Sequence, residues 1–160
     1  MVSFPTLVLV ADDGSPESDR AVEAAARVTE STGSRLALVH VKAHSPSVTG
    51  VTAVPAQEEN LRAQGEAFLR RRHDQLADRG VTPVRTELRL SRRPERSVVR
   101  VAEELDAGLI VVGVRGGRPG QRMVLGDLSL PLARDAHCSV LVVRDGLTEA
   151  AGHTAAPEQG

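Results

Sequence analysis

The sequence predicts an α/β protein in which helices cover both faces of a doubly wound parallel sheet. Four short runs rich in Val and Leu are continuous rather than alternating, which is the pattern of strands buried on both faces. Stretches with helical periodicity separate the runs, and this alternation implies right-handed crossovers. The four runs are residues 7–11, 36–41, 109–112 and 140–143. In such a sheet, ligands bind beyond the carboxyl ends of the strands, where the strand order reverses.

The first strand is followed by clear helix signals. Ser15 is a favourable N-cap, Pro16 suits the first helical position, and Gly33 provides the stop. After the second strand, residues 51–55 are predicted as a loop and residues 57–79 as a second helix. The inward-facing residues of that helix are Leu61, Phe68, Leu69 and Leu76. The arginine run at residues 70–72 is predicted to lie on its solvated outer face.

The second half of the chain continues the same alternation. Residues 81–90 alternate weakly and are predicted as a strand, and residues 94–105 as a helix that begins at a proline. A glycine-rich segment over residues 113–126 then precedes a short fourth helix and the last strand, 140–143.

Length and composition bound the classes of function. The chain has 160 residues and a mass of 17.0 kDa, so we expect one domain over residues 1–144. Residues 145–160 are polar, aperiodic and rich in Gly, Ala and Pro, and are predicted to be a flexible tail. Two Phe, no Tyr and no Trp provide no stacking platform for nucleic acid, and a net charge of -1 does not attract it. We therefore expect no nucleic-acid partner.

The same composition bears on location. The apolar runs are far shorter than the roughly 18 residues that a membrane helix requires, so no membrane partner is expected. The first residues have no basic and apolar signal-peptide pattern, and the single cysteine, Cys138, has no internal disulfide partner. These features predict a cytoplasmic protein.

Two loops follow predicted strands and could form a ligand site at the carboxyl edge. The segment from Gly113 to Ser129 is rich in glycine, which lets backbone N–H groups approach an anion, and Arg115 can add a full charge. The alternative is a flexible connection whose glycines only turn the chain. The segment matches neither the Walker A motif nor the Gly-x-Gly-x-x-Gly dinucleotide pattern.

The second loop begins with Asp12 and Asp13. Paired acids after a first strand are typical of the magnesium site of a receiver domain, but the predicted third strand provides no phosphoacceptor Asp. Asp13 is also a candidate for an Asx-turn that leads into the helix at Ser15.

The five histidines show no metal-ligand spacing, and Gly-x-Ser-x-Gly is absent, so neither a zinc site nor a serine hydrolase is predicted. No catalytic residues are assigned, and we do not expect an enzyme.

Three separated segments resemble a universal stress protein domain: residues 8–18, 109–116 and 136–144. The resemblance extends over about residues 6–144. It implies a five-stranded parallel sheet of order 3-2-1-4-5, of the adenine nucleotide alpha hydrolase-like kind. The loop of the family reads Gly, two residues, Gly, nine residues, Gly and then Ser or Thr, and Gly113, Gly116 and Gly126 match its glycines. It also implies a homodimer through the last strand, at Val140 and Val142.

In the nucleotide-binding members of the family, ATP lies over the loop after the fourth strand. By position, Asp13 is expected on the ribose or adenine side and the backbone at Val41 beside the adenine. The cofactor-binding residues that the resemblance implies are Ala11, Asp12, Asp13, Val41, Gly113, Arg115, Gly116, Gly126, Asp127, Leu128 and Ser129.

The sequence departs from the family pattern at Asp127, which stands where Ser or Thr is usual. A carboxylate cannot donate a hydrogen bond to a phosphate and repels it, and Asp127 is also a favourable N-cap that could occupy the N–H groups of the fourth helix. Mg²⁺ bridging Asp13 and Asp127 to a phosphate, or neutralisation by Arg115 and Arg122, would overcome the repulsion.

Two main hypotheses follow from the sequence, beside a third, weak ATP hydrolysis, for which only Asp12, Asp13 and Asp127 are candidate general bases. The first is a dimeric stress-response module that binds ATP or another adenine nucleotide, with or without Mg²⁺, and regulates rather than catalyses. The alternative is a dimeric interaction protein that binds no nucleotide, whose crevice Asp127 caps and whose protein partner is unknown.

Overall fold

The computed structural model describes residues 6–44, 55–114 and 128–144. The elements are β1 (Leu7–Ala11), α1 (Pro16–Thr32), β2 (Arg35–Ala43), α2 (Pro55–Asp78), β3 (Arg85–Ser91), α3 (Pro94–Glu104), β4 (Leu109–Gly113), α4 (Ser129–Asp135) and β5 (Ser139–Val143). All neighbouring strands are parallel and the sheet order is β3-β2-β1-β4-β5. The predicted fold class and strand order are confirmed.

The core consists of two layers, one on each face of the sheet. On one face, Val8 and Val10 of β1 pack with α1 and α2, and on the other, Leu7 and Leu9 pack with α3 and with Leu132 of α4. All five residues of β1 are buried, because this strand lies at the centre of the sheet with helices on both sides. The topological switch point is therefore at the carboxyl ends of β1 and β4.

The predicted ends of α1 are confirmed in detail. The Ser15 Oγ accepts a hydrogen bond of 3.1 Å from the Ser18 N–H, and Pro16 opens the helix. Gly33 ends it with a φ of 69°, a left-handed conformation that glycine adopts without steric cost.

Other element boundaries differ from those predicted. Helix α2 begins at Pro55, within the predicted loop, and β3 begins only at Arg85, after a short irregular segment. The prediction that every apolar run is buried on both faces is wrong for β5, whose residues are half-buried or exposed. This strand lies at the edge of the sheet, with a neighbour on one side only.

The two edge strands have opposite surface chemistry. Along β3, Arg85 and Arg89 form ion pairs with Glu87 at 2.8 and 2.6 Å, and Arg89 also pairs with Glu104 of α3 at 2.6 Å. Strand β5 reads Ser-Val-Leu-Val-Val and has no charged residue or proline. Charged residues protect an edge strand from pairing with other chains, so β3 is a protected edge and β5 is not.

Within the three described ranges, no helix is long and apolar enough to cross a membrane. The predicted tail over residues 145–160 lies outside those ranges.

Candidate functional site

A tightly hydrogen-bonded turn connects β1 to α1 at the carboxyl edge of the sheet. The Asp12 N–H continues the sheet ladder by donating to the Val39 carbonyl oxygen at 2.9 Å. Gly14 has a φ of 81° and donates its N–H to Asp12 Oδ1 at 3.0 Å. The Ser15 N–H donates to Asp13 Oδ1 at 2.9 Å, which confirms the Asx-turn considered for Asp13. The carboxylates of Asp12 and Asp13 therefore accept hydrogen bonds from different N–H groups of the turn, those of Gly14 and Ser15.

The carboxylate of Asp12 is entirely engaged inside the protein. Its side chain is 0% exposed. The Ser18 hydroxyl donates to Oδ1 at 2.8 Å, and Arg72 Nε donates to Oδ2 at 2.6 Å. Together with the Gly14 N–H, these donors occupy both oxygens, so the Asp12 side chain stabilises the turn and is shielded from solvent.

Arg72 of α2 is the partner that completes this buried pair. Its side chain is 15% exposed, so the prediction that residues 70–72 all lie on a solvated face is wrong at this position. The guanidinium also pairs with Asp19 of α1 and lies 5.8 Å from the centre of the Phe68 ring. Burial lowers the pKa of Arg72, but hydrogen bonds with Asp12 and Asp19 outweigh that effect and raise it. Arg72 thereby ties α2 to the turn after β1.

His40 of β2 forms the floor of the same cluster. The Nδ1–H donates to the Asp12 carbonyl oxygen at 2.6 Å, and the ring lies 4.3 Å from that of Phe68. Its Nε2 is buried and has no hydrogen-bond partner among the described residues.

Asp13 is the exposed carboxylate of the turn. Burial raises the pKa of Asp13, but hydrogen bonds, chiefly from Ser15, outweigh burial, so the pKa lies below its ordinary value of 3.8. The side chain is therefore ionised at neutral pH and oriented by the Asx-turn. It is a fixed hydrogen-bond acceptor at the switch point of the sheet.

Gly113 ends β4 next to this turn, and a packing requirement explains the glycine. A Cβ at this position would lie 2.0 Å from the carbonyl oxygen of Glu17 and 3.1 Å from the backbone nitrogen of Ser18. Only glycine permits the backbone of β4 to approach the first turn of α1 so closely. The match of Gly113 to a phosphate-loop motif therefore has a cause that is independent of any ligand.

Comparison with known proteins agrees with this geometry. The sequence model of the universal stress protein family matches residues 6–144. The chain belongs to this family. A universal stress protein of Thermus aquaticus, from the QAH/OAS sulfhydrylase 3′ region, is 34% identical over 137 residues, covering 86% of this chain and 97% of that relative.

Two solved universal stress protein structures share the fold and contain nucleotides. One, in complex with cAMP, has a TM-score of 0.64 and 24% identity, over 87% of this chain and 97% of that chain. The other, from Arabidopsis thaliana with AMP bound, has a TM-score of 0.64 and 20% identity, over 89% of this chain and 94% of that chain. At these identities, the likeness establishes the fold.

The sheet of this universal stress protein brings several of the family positions to one edge. Ala11 and Val41 contribute to the core layer on the α3 and α4 face, and Leu128 packs against the same layer. Ser129 is buried at the start of α4. Leu128, the residue before α4, has helical backbone angles and makes no side-chain capping hydrogen bond, and the expectation that Asp127 caps this helix falls on a residue outside the described ranges. The predicted residues outside the described ranges are Arg115, Gly116, Gly126 and Asp127.

The described ranges contain no group of three or more His, Cys, Asp or Glu side chains placed to hold a metal ion. Asp13 is an oxygen donor of the type that Mg²⁺ prefers, so it fits the predicted bridging role with respect to ligand chemistry.

Proposed function

We propose that this universal stress protein binds an adenine nucleotide at the carboxyl edge of its sheet and acts as a nucleotide-dependent regulator. The observation that carries the proposal is that the two neighbouring acids have different environments. Asp12 is buried in the protein, whereas Asp13 is exposed, ionised and hydrogen-bonded to the Ser15 N–H. A fixed carboxylate at the switch point can accept hydrogen bonds from the hydroxyl groups of a ribose. The cAMP- and AMP-bound relatives support an adenine nucleotide as the ligand.

The surroundings of Asp13 favour regulation over catalysis. A general base must reach the substrate within hydrogen-bond distance. Two further ionisable groups of the cluster, Asp12 and His40, are both buried and hydrogen-bonded within the protein. Neither faces a ligand at the edge. We therefore infer a binding and signalling role. ATP binds either without a metal or with Mg²⁺ that bridges Asp13 and Asp127 to a phosphate.

Nucleotide binding predicts a ligand-dependent thermal shift. ATP at about 100 times its dissociation constant should add about 2.7 kcal/mol to the free energy of unfolding, which raises the melting temperature by several degrees. We expect this shift to shrink in Asp13→Asn, because the amide preserves the Asx-turn acceptor but removes the charge. Differential scanning fluorimetry with ATP, AMP and cAMP, each with and without Mg²⁺, measures it.

Asp78→Asn is the matched control, since Asp78 is an exposed acid at the far end of α2 and should leave the shift unchanged. Gly116→Val tests the loop and should abolish the shift without lowering the melting temperature of the protein alone. A wild-type protein that shows no shift at millimolar ATP would contradict the proposal. If Asp127→Ser then gained a shift, the self-capped interaction protein would be the better description.

We also propose that two copies associate through β5. The basis is the contrast between the edges: β3 carries alternating charges, whereas β5 carries only Ser, Val and Leu. Val140 and Val142 pack against the core layer beneath α3 and α4, and Leu141 points to the opposite face with 37% of its surface exposed. A second β5 would pair with the open backbone groups and cover Leu141.

Leu141→Lys should therefore yield monomers. A lysine at this position places a charge in the interface, whereas Val142→Lys would also damage the core and could not separate assembly from folding. Sedimentation velocity measures the oligomeric state, and Val84→Lys, an exposed apolar position outside the strands, is the control. A Leu141→Lys protein that sediments like the wild type would exclude this interface.

A further inference from the structure

A groove of about 680 Å³ lies at the carboxyl ends of β2 and β3 and along one side of α3. Its volume is typical of sites for small molecules. Four arginines and two acids are among the residues that line it: Arg92, Arg93, Arg96, Arg100, Glu103 and Asp135. We refer to it as the α3 groove. None of its lining residues belongs to the positions discussed above as nucleotide contacts.

Three of the arginines form a row on a single face of α3. Arg93, Arg96 and Arg100 are spaced by three and four residues, so their side chains project from the same side of the helix. Within residues 6–44, 55–114 and 128–144, none of these three guanidinium groups forms an ion pair. None of the three therefore has an ion-pair partner in the described part of the protein, although the charge of Arg96 contributes to lowering the pKa of Asp135.

The acids of the groove compensate this charge only in part. Asp135 is hydrogen-bonded to Arg134 through both oxygens, at 2.7 and 2.8 Å, so most of its charge is already met by a residue outside the groove. Glu103 lies at the end of the groove furthest from the start of α3, seven residues after Arg96. The end near the start of the helix is consequently the more positive one.

The start of α3 adds backbone donors at that positive end. The N-cap residue is Arg93, and it makes no side-chain capping hydrogen bond. In the described ranges, the N–H groups of Glu95 and Arg96 have no acceptor. Unpaired N–H groups at a helix start, together with the helix dipole, favour a bound anion.

We propose that the α3 groove is a second ligand site, separate from the nucleotide site, for a small anion that carries two or more phosphoryl groups. Guanidinium groups bind phosphate in a bidentate manner, and a row of them suits several phosphoryl groups better than one. Arg93 and Arg100 are about 10 Å apart along the helix axis, which exceeds the reach of one phosphate but suits a short polyphosphate chain. Glu103, at the far end, limits the length of the ligand.

Isothermal titration of the full chain with inorganic tripolyphosphate tests the proposal. We expect saturable binding to the wild type that weakens as salt is raised from about 50 to 200 mM. Because charge-assisted hydrogen bonds are lost, the double variant R96A/R100A should bind about tenfold more weakly or worse. The control is R70A/R71A, which removes two exposed arginines from α2 and should change the affinity less than about twofold.

Three outcomes would overturn the proposal. The first is an R96A/R100A protein that keeps its melting temperature and binds tripolyphosphate like the wild type. The second is orthophosphate binding as tightly as tripolyphosphate, which would exclude a preference for several phosphoryl groups. The third is a loss of the ATP-dependent thermal shift in R96A/R100A, because the groove would then be part of the nucleotide site. The expected result is that R96A/R100A loses tripolyphosphate binding and keeps the ATP-dependent thermal shift of the wild type. If the wild type shows no such shift, the tripolyphosphate titration still tests the α3 groove.

Discussion

Arg72→Ala is expected to lower the free energy of unfolding by about 3–5 kcal/mol, the cost typical of removing one partner from a buried ion pair. The variant removes the cation from the Asp12 carboxylate, which is 0% exposed in the wild-type protein. The Ser18 and Gly14 donors remain, but they are neutral and cannot replace a guanidinium that binds both oxygens. Urea denaturation followed by circular dichroism measures the loss.

The exposed neighbour provides the control. Arg71→Ala removes the same charge from the same helix and should change stability by less than about 0.5 kcal/mol. The double variant Asp12→Asn/Arg72→Met should recover part of the loss, because it removes both charges instead of stranding one. An Arg72→Ala protein as stable as Arg71→Ala would mean that the pair contributes no net stability.

Gly113→Ala is expected to be the second most damaging single change. The added methyl group would lie 2.0 Å from the carbonyl oxygen and 2.4 Å from the carbonyl carbon of Glu17. Both are backbone atoms, so no side-chain rotation can relieve the clash and β4 must separate from α1. We expect a loss at or above the roughly 1–3 kcal/mol typical of overpacking, measured by urea denaturation.

Gly65→Ala is the matched control in α2. Its Cβ would lie 2.4 Å from a methyl carbon of Leu88, but that atom ends a flexible side chain that can rotate away. The loss should therefore be smaller than in Gly113→Ala. Equal losses would contradict the argument from the backbone clash. Because Gly113 is needed for packing, its substitution cannot test phosphate binding, and Gly116→Val is the informative variant.

The elements that could be predicted from the sequence are those whose signals are local. The apolar run of β1 and the sequence Ser15-Pro16 gave the boundaries of the first strand and helix, because capping depends on residues a few positions apart. The Asx-turn at Asp13 was predictable for the same reason. Features that depend on position in the sheet were not, and the exposure of β5 is the example.

The pair between Asp12 and Arg72 could not be derived from local signals, because the two residues are 60 positions apart. A signal was nevertheless present. Arg72 lies four residues after Phe68 and four before Leu76, both of which were predicted to face inward, so it shares their face of α2. A guanidinium on a buried face needs a carboxylate partner, and Asp12 was the candidate at the end of a buried strand.

The difference between the two sheet edges limits how large an assembly can become. If β5 pairs with β5 of a second copy, a twofold axis makes the contact antiparallel and identical for both chains. The combined sheet then has a β3 strand at each outer edge. Each of these strands carries the charged residues Arg85, Glu87 and Arg89. Neither margin offers an uncharged strand for a third copy. With the proposed β5 contact, the edge chemistry of the chain would therefore favour a closed pair over growth into a filament.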